Sequence, residues 1–142
     1  MKIILTIFLL LVCSGSVLAE KKQKTYLCIG EVAGGLDYNT TKNAWEGMSF
    51  DTDNKYLLKT NDKQHPSKVA TVTQTGRPIP LFQCEPGRLL FTGEQLCDGP
   101  FGQFAYNLES LRFLSTFMSG YIDGKIIDGL TPYIQGGTCS PL

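Results

Sequence analysis

The sequence has few side chains suited to catalysis and no excess of charge. His65 is the one histidine among 142 residues, and the 13 basic and 13 acidic side chains cancel at neutral pH. A nucleophilic triad needs a positioned base, and the polar run around His65, Asn61 to Ser67, predicts an exposed turn instead. Nucleic-acid binding needs a basic surface, which this charge balance does not provide. We therefore expect no histidine-dependent catalysis and no nucleic-acid partner.

Spacings that hold metal ions or phosphates are also missing. No CxxC or CxxH pair occurs, and Asp51 to Lys55 begins like a calcium loop but lacks the glycine and the closing glutamate. Gly34-Gly35 is not followed by a helix start, so a bulge or tight bend is expected there. We predict no catalytic residue, no metal, no cofactor and no enzymatic activity. Hydrolysis by a carboxylate pair remains an alternative, with these candidates: Glu31, Asp37, Glu46, Glu85, Glu94 and Asp98.

Long apolar runs are limited to the N-terminus. Lys2 precedes the run Ile3 to Val12, and Val17 and Ala19 occupy the −3 and −1 positions of a cleavage site. The pattern predicts a signal peptide over residues 1–19 and one mature domain over 20–142, which is 142 − 19 = 123 residues. Lipidation of Cys13 is an alternative, although valine precedes it where a small residue is required. We expect a secreted or periplasmic protein without an integral membrane segment after cleavage.

Four of the five cysteines lie in the mature chain. Four thiols allow three pairings, and spacing alone does not choose among them. We favour the nested arrangement, because a short crosslink between adjacent strands is easily made and terminal strands commonly pair. The predicted disulfides are Cys84 with Cys97 and Cys28 with Cys139. They are typical of a small domain in an oxidising compartment.

The mature chain consists of short β-rich runs separated by turn-forming residues. This spacing predicts an all-β domain, a small antiparallel barrel or sandwich of about 8–10 short strands. Asn107 to Leu111 is the one place where a short helical turn is expected, and Asp123-Gly124 predicts a tight hairpin turn. The predicted strands are Thr25–Val32, Leu36–Tyr38, Ala44–Phe50, Lys55–Leu58, Val69–Thr75, Ile79–Gln83, Leu89–Phe91, Phe101–Tyr106, Arg112–Ile122 and Tyr133–Gly136.

Aromatic residues are the most distinctive feature of these strands. Phe104 and Tyr106 share one strand face. Phe113, Phe117 and Tyr121 share a face of the next long strand, and the two sets are expected to meet across a hairpin. The opposite face of the second strand is apolar too, with Leu114, Met118 and Ile122, and we interpret it as core. A face reserved for a ligand or partner is the alternative.

Trp45 is the best candidate anchor for a partner, since Trp and Tyr dominate binding hot spots. It lies beside Tyr38 in a predicted hairpin rich in Asn and Thr, and a core position is the competing interpretation. The predicted partner-binding residues are Trp45, Tyr38, Phe117 and Tyr121. Asn39 begins a glycosylation sequon, which matters only in a eukaryotic secretory pathway.

The second half of the chain carries a recognisable pattern: Phe104-Ala105-Tyr106-Asn107, then Leu111-Arg112-Phe113, Gly120-Tyr121 and Thr131-Pro132-Tyr133-Ile134 before the ending Gly137-Thr138-Cys139-Ser140-Pro141-Leu142. Tyr26-Leu27-Cys28 and Lys55-Tyr56 are its N-terminal counterparts. This pattern resembles that of small, uncharacterised exported proteins of bacteria and their phages. The resemblance implies export and a bacterial setting, and it assigns no functional residue. In size, leader and disulfides the chain is also similar to small β-barrel lysozyme inhibitors of the bacterial periplasm, an analogy of architecture.

Together these features predict a non-enzymatic binding protein, secreted or periplasmic. Its partner would be a protein or another macromolecule of the cell envelope, on which it acts as an inhibitor or protective factor. The first alternative is an exported carrier that holds a small apolar ligand inside a barrel. The second is the carboxylate-based envelope hydrolase. The sequence does not predict an oligomeric state.

Overall fold

The structure, a computed structural model, describes residues 22–62, 67–90, 93–119, 121 and 131–142. The predicted signal peptide, His65, Ile122 and the Asp123-Gly124 turn lie outside these residues. The described chain is all-β, as predicted, and its strands are β1 (Lys24–Asn39), β2 (Ala44–Phe50), β3 (Lys55–Thr60), β4 (Ala70–Gln74), β5 (Phe82–Leu89), β6 (Gln95–Asp98), β7 (Gly102–Asn107), β8 (Arg112–Phe117) and β9 (Tyr133–Pro141).

Eight strands close into an antiparallel barrel. Their order is β1-β3-β4-β5-β6-β7-β8-β9, and β9 pairs back onto β1, while β2 pairs outside the ring with the second half of β1. Cys28 of β1 is opposite Tyr56 of β3 on one side and opposite Cys139 of β9 on the other. This closure decides between the two predicted architectures in favour of the barrel.

β1 is one long bent strand, not the two short strands that were predicted. The predicted break at Gly34-Gly35 is wrong, because both glycines pair with β2 and with β9. Gly35 permits close packing there: a Cβ atom on it would lie 2.1 Å from the carbonyl oxygen of Pro132. The irregularity is a register shift between Gly30 and Val32, and a bulge of this kind bends a strand. It lets β1 leave the barrel and continue as a hairpin with β2.

The middle of the chain differs most from the prediction. A turn was predicted at Glu85-Pro86-Gly87, but β5 continues through it to Leu89, with a register shift between Cys84 and Leu89 that accommodates the proline. The following strand, β6, which is four residues long, was not predicted. Asn107 to Leu111 forms a turn and no helix, in which the side chain of Asn107 accepts hydrogen bonds from the backbone of Glu109 and Ser110.

The middle of the barrel is filled with aromatic and aliphatic side chains. Phe104 is fully buried, and its ring stacks on Phe113 with centroids 5.0 Å apart, which confirms the predicted contact across the β7–β8 hairpin. Tyr56 meets both rings edge-on. The core interpretation of the opposite β8 face was wrong, since Leu114 is 44% and Met118 47% exposed. A barrel wall has one inner and one outer face, and these two side chains lie on the outer one.

Both predicted disulfides are present, Cys28–Cys139 and Cys84–Cys97. The first joins the first and last strands, where the barrel closes, and the second joins the adjacent strands β5 and β6. All four sulfur-bearing side chains are buried. Two buried disulfides indicate an oxidising, non-cytoplasmic location. Within the described ranges, no helix has the length and apolar character needed to cross a membrane.

The buried tyrosines predict that stability falls at alkaline pH. Burial, with a smaller contribution from Tyr26, raises the pKa of Tyr106 to about 12, against about 10 in an unfolded chain. Between these values the unfolded state releases a proton that the folded state keeps, so the stabilisation is complete below about pH 10 and is lost as the pH rises towards about 12. Urea unfolding at several pH values should show this loss, and Tyr106→Phe should reduce it. An equal loss in the variant would contradict the assignment.

Candidate functional site

One end of the barrel opens into a cleft of about 400 Å³. Because neighbouring strands are antiparallel, the starts of β3, β5, β7 and β9 meet the ends of β4, β6 and β8 at this end, which we call the mouth. Barrel mouths are common places for ligand sites. The cleft is lined by Asn54, Gln74, Arg77, Leu81, Phe82, Pro100, Phe101, Gly102, Thr116, Phe117, Thr131 and Tyr133.

Three aromatic rings form a row along the mouth. Phe117 at the end of β8 is the register partner of Tyr133 at the start of β9, and their rings are stacked, with centroids 5.7 Å apart and planes 14° from parallel. Phe101, just before β7, continues the row at 5.9 Å from Phe117. Phe101 is 56% exposed, and the other two rings are partly exposed. We call these three residues the aromatic row.

Side-chain amides form a second row in the same mouth. The Nε2 atom of Gln74 donates to the Oδ1 atom of Asn54 at 2.7 Å, and the Nδ2 atom of Asn54 donates to the Oε1 atom of Gln135 at 3.1 Å. The hydroxyl of Tyr56 also donates to this Gln135 oxygen, at 3.4 Å. Burial first, and the nearby Tyr133 second, raise the pKa of Tyr56 far above its usual value, so it remains a neutral donor. We call Gln74, Asn54 and Gln135 the amide chain.

Gln135 ends the amide chain with an unsatisfied nitrogen. It is 1% exposed, and its Nε2 atom has no hydrogen-bond partner. This nitrogen lies against Gly30, where a Cβ atom would be only 1.7 Å away, so the glycine makes room for the amide. A buried polar group without a partner is costly and requires an explanation. Gln135 lines a second cavity of about 200 Å³ with Ala33, Phe50, Asp51, Asn54, Thr131 and Tyr133.

The two cavities are adjacent and nearly neutral. They share the lining residues Asn54, Thr131 and Tyr133. Arg77 is the charged residue that lines the larger cavity, and Asp51 is the one that lines the smaller. One charge of each sign does not select a strongly charged ligand. The chemistry of the mouth is therefore that of aromatic rings and of amides that both donate and accept hydrogen bonds.

The predicted partner-binding residues occupy two places. Trp45 lies between Tyr38 and Tyr121, each with its ring centroid 5.4 Å away and meeting it edge-on. Tyr38 and Trp45 are register partners in the β1–β2 hairpin. Trp45 is partly exposed, and its strand lies outside the barrel. Phe117 is separate from this group and belongs to the aromatic row of the mouth.

The hairpin that carries Trp45 rises from the rim of the mouth. The backbone nitrogen of Leu36 donates to the carbonyl oxygen of Pro132, just before β9. Strand alternation places Ala33 and Phe50 on the face that lines the smaller cavity, and Tyr38 and Trp45 on the other face. The turn is held by its own polar contacts: Asn39 and Lys42 both donate to Glu46, at 2.9 and 2.6 Å.

Among the carboxylates considered for hydrolysis, several have ordinary hydrogen-bond or ion-pair partners: Glu31, Glu46, Glu85 and Asp98. Hydrogen bonds from Lys42, and then from Asn39, lower the pKa of Glu46, whereas a general acid at neutral pH needs a raised one. Across the described ranges, no group of three or more His, Cys, Asp or Glu side chains could hold a metal ion. The ion pairs of these carboxylates are Glu46 with Lys42, Glu85 with Lys68, and Asp98 with Arg88.

Sequence reasoning found Phe117 but missed the rest of the mouth. Asn54, Gln74 and Gln135 are isolated amide residues that lie far apart in the chain. Gln135 is in a predicted strand, but the sequence analysis did not predict which side chains of that strand face the barrel interior. The available signal was position: Asn54 precedes a strand and Gln74 ends one. Comparison of the chain with family models, with curated proteins and with solved structures found no match.

Proposed function

We propose that this protein is an exported, non-enzymatic binding protein that holds part of a cell-envelope macromolecule in the mouth of its barrel. The observation that carries the proposal is the aromatic row. Three rings that lie partly open to solvent in one cleft form an apolar surface with a defined shape. Surfaces of this kind commonly mark binding sites.

The rigidity of the site supports a binding role. The aromatic row rests on strand ends of a closed barrel, and both disulfides join neighbouring strands of that barrel. A site that is ordered before it meets its ligand loses little conformational entropy on association. The same rigidity suits an inhibitor or protective factor, which acts by occupying a partner and not by turning over a substrate.

Export is supported by two independent features. The N-terminal sequence has the pattern of a signal peptide ending at Ala19, and the two disulfides require an oxidising compartment to persist. We place the mature protein in the periplasm or outside the cell. N-terminal sequencing of the exported protein should begin at Glu20.

The alternative functions have less support. A carrier with its ligand in the middle of the barrel would need space that Tyr56, Leu58 and Phe104 fill. A carboxylate-based hydrolase would need two carboxylates in contrasting surroundings at the cleft. Among the described residues that line the two cavities, Asp51 of the smaller cavity is the one carboxylate.

The test is saturable binding to isolated bacterial envelope fragments, measured by co-sedimentation of the oxidised mature protein. We expect Phe117→Ala to weaken binding about tenfold, because truncating a central aromatic anchor removes 1–3 kcal/mol or more. Leu114→Ala is the matched control, since Leu114 lies on the outer face of the same strand. Absence of saturable binding, or equal losses in both variants, would refute the proposal.

A further inference from the structure

We propose that the outer edge of β2 is an interface at which the β2 strands of two copies of this protein pair in antiparallel orientation, around a two-fold axis at Gly47. This inference goes beyond the proposed function, because it does not depend on what the mouth binds. It is carried by one juxtaposition: backbone groups that face away from β1, two small residues and Trp45 lie along the same strand edge.

The direction of the backbone groups in β2 follows from β1. The backbone nitrogen of Leu36 donates to the carbonyl oxygen of Pro132, on the β9 side of β1. Successive residues of an antiparallel strand direct their N–H and C=O groups to opposite sides. Gly35 therefore directs its groups toward β2, where its register partner is Met48. Alternation along β2 then gives the residues whose N–H and C=O groups face away from β1: Trp45, Gly47 and Ser49.

These outward groups have no backbone partner among the described residues. Within those ranges β2 pairs with β1 alone, and none of the backbone hydrogen bonds outside the strand ladders involves Trp45, Gly47 or Ser49. Gly47 and Ser49 are exposed, and Trp45 is partly exposed. A row of unpaired N–H and C=O groups along a strand is a template for pairing with another strand.

β2 lacks the features that usually protect a strand edge. Natural edge strands carry lysine or proline, are very short, or are twisted by a bulge. β2 is seven residues long, contains neither residue type, and keeps one continuous register with β1. Its one charged side chain, Glu46, accepts hydrogen bonds from Lys42 and Asn39 at the end of the hairpin. The edge is therefore suited to pairing with a further strand.

The side chains of β2 complement those of a second copy. With Gly47 of both copies at the two-fold axis, Trp45 of each lies opposite Ser49 of the other, and every outward backbone group meets an outward group. The large ring then has a small residue opposite it, and the axis itself carries no side chain. Moving the axis to Glu46 would place two like charges directly opposite each other, which is unfavourable. The pattern therefore favours the register centred on Gly47.

Opposite charges also meet at the two ends of the paired strands. Lys42 is the basic residue of the turn before β2, and its side chain is 63% exposed. Asp51 and Asp53 are exposed acidic residues directly after β2. Antiparallel pairing places the turn of one copy beside the acidic segment of the other, at both ends of the interface. Such complementarity fixes register and orientation, and a second copy supplies it without any other partner.

The test measures the oligomeric state of the oxidised mature protein by sedimentation velocity over a range of concentrations. We expect a monomer–dimer equilibrium, because an interface of one strand from each copy is small and therefore weak. Trp45 is the one tryptophan of the chain, so its emission should shift to shorter wavelength as the dimer forms. A protein that stays monomeric up to about 1 mM, or a dimer that leaves the emission unchanged, would overturn the proposal.

Gly47→Pro and Gly47→Ala are a matched pair of variants for the backbone contact. Proline removes the outward N–H group at the axis, whereas alanine keeps it, and an edge strand tolerates proline where the N–H faces solvent. A side chain has room there, since a Cβ atom on Gly47 would lie 4.0 Å from the carbonyl oxygen of Gly35, its nearest neighbour. We expect proline to weaken dimerisation at least about tenfold and alanine less than about twofold. Equal dissociation constants for the two variants would overturn the proposal.

Charged substitutions at the axis test the register and remain informative if Gly47→Pro does not fold. Gly47→Lys and Gly47→Glu each place like charges opposite each other, so each variant alone should dimerise about fivefold more weakly, and mixing the two should restore dimerisation. The matched control is a mixture of Ala44→Lys and Ala44→Glu, because Ala44 lies in the same strand away from the axis, opposite Phe50 of the second copy. No restoration at Gly47, or equal restoration at Ala44, would refute the two-fold axis at Gly47.

Discussion

Replacing Cys28 and Cys139 together by alanine is expected to lower the free energy of unfolding by about 4–5 kcal/mol, and replacing Cys84 and Cys97 by about 3 kcal/mol. A disulfide restricts the unfolded chain, and the restriction grows with the length of the loop it closes. The first bond spans 111 residues and the second 13. Domains usually have a free energy of unfolding of about 5–15 kcal/mol, so removing the disulfide that closes the longer loop brings the barrel close to unfolding.

Each double replacement is a matched control for the other. All four cysteines are buried, and each disulfide joins directly paired residues of adjacent strands. Urea unfolding followed by circular dichroism measures both free energies. A larger loss on removing Cys84–Cys97 would contradict the loop-length argument. It would indicate that the register shift in β5 depends on that disulfide.

The all-β class could be predicted because strand and turn patterns are local in the sequence. The disulfides could be predicted because few pairings are possible. Four cysteines leave three pairings, and the nested one follows from the tendency of terminal strands to pair. Strand β2 was predicted with its observed bounds, Ala44–Phe50, because turn formers flank it on both sides. Where turn-forming residues stand directly beside the ends of a strand, the sequence alone predicts the bounds of that strand.

Prediction failed where pairing overrides local preference. Gly34-Gly35 and Pro86-Gly87 are turn formers by composition, yet both lie inside strands. Gly35 is required there for close approach to Pro132, and this depends on β9, almost 100 residues later in the chain. Sequence patterns alone do not reveal which backbone will lie against a glycine.

The mouth shows the same limit for function. Tyr38 and Trp45 were found because they are neighbours in one hairpin, and Phe117 because it continues an apolar strand. Asn54, Gln74 and Gln135 are brought together by the closure of the barrel and by nothing in their local sequence. Amides are also ordinary surface residues, so only the burial of Gln135 and the mutual hydrogen bonds of the three distinguish them.

Phe104→Ala is expected to lower the free energy of unfolding by about 3–5 kcal/mol, the range for removing a fully buried phenylalanine. Phe104 is 0% exposed and contacts the rings of Tyr56, Phe82 and Phe113. The interior of a closed barrel cannot collapse readily around the cavity, because the strands on all sides are held by their ladders. Urea unfolding, with the m-value checked for two-state behaviour, measures the change.

Leu114→Ala, on the outer face of β8, is the matched control and should lower the free energy of unfolding by less than about 1 kcal/mol, since the Leu114 side chain is 44% exposed.

Phe104 also links the core to the mouth, because Phe82 packs on it at 5.6 Å and lines the cleft. Truncation should therefore weaken ligand binding at temperatures where the variant is still folded. A cost below about 1 kcal/mol for Phe104→Ala would mean that the barrel interior is not close-packed, and the case against a centrally bound ligand would fail with it.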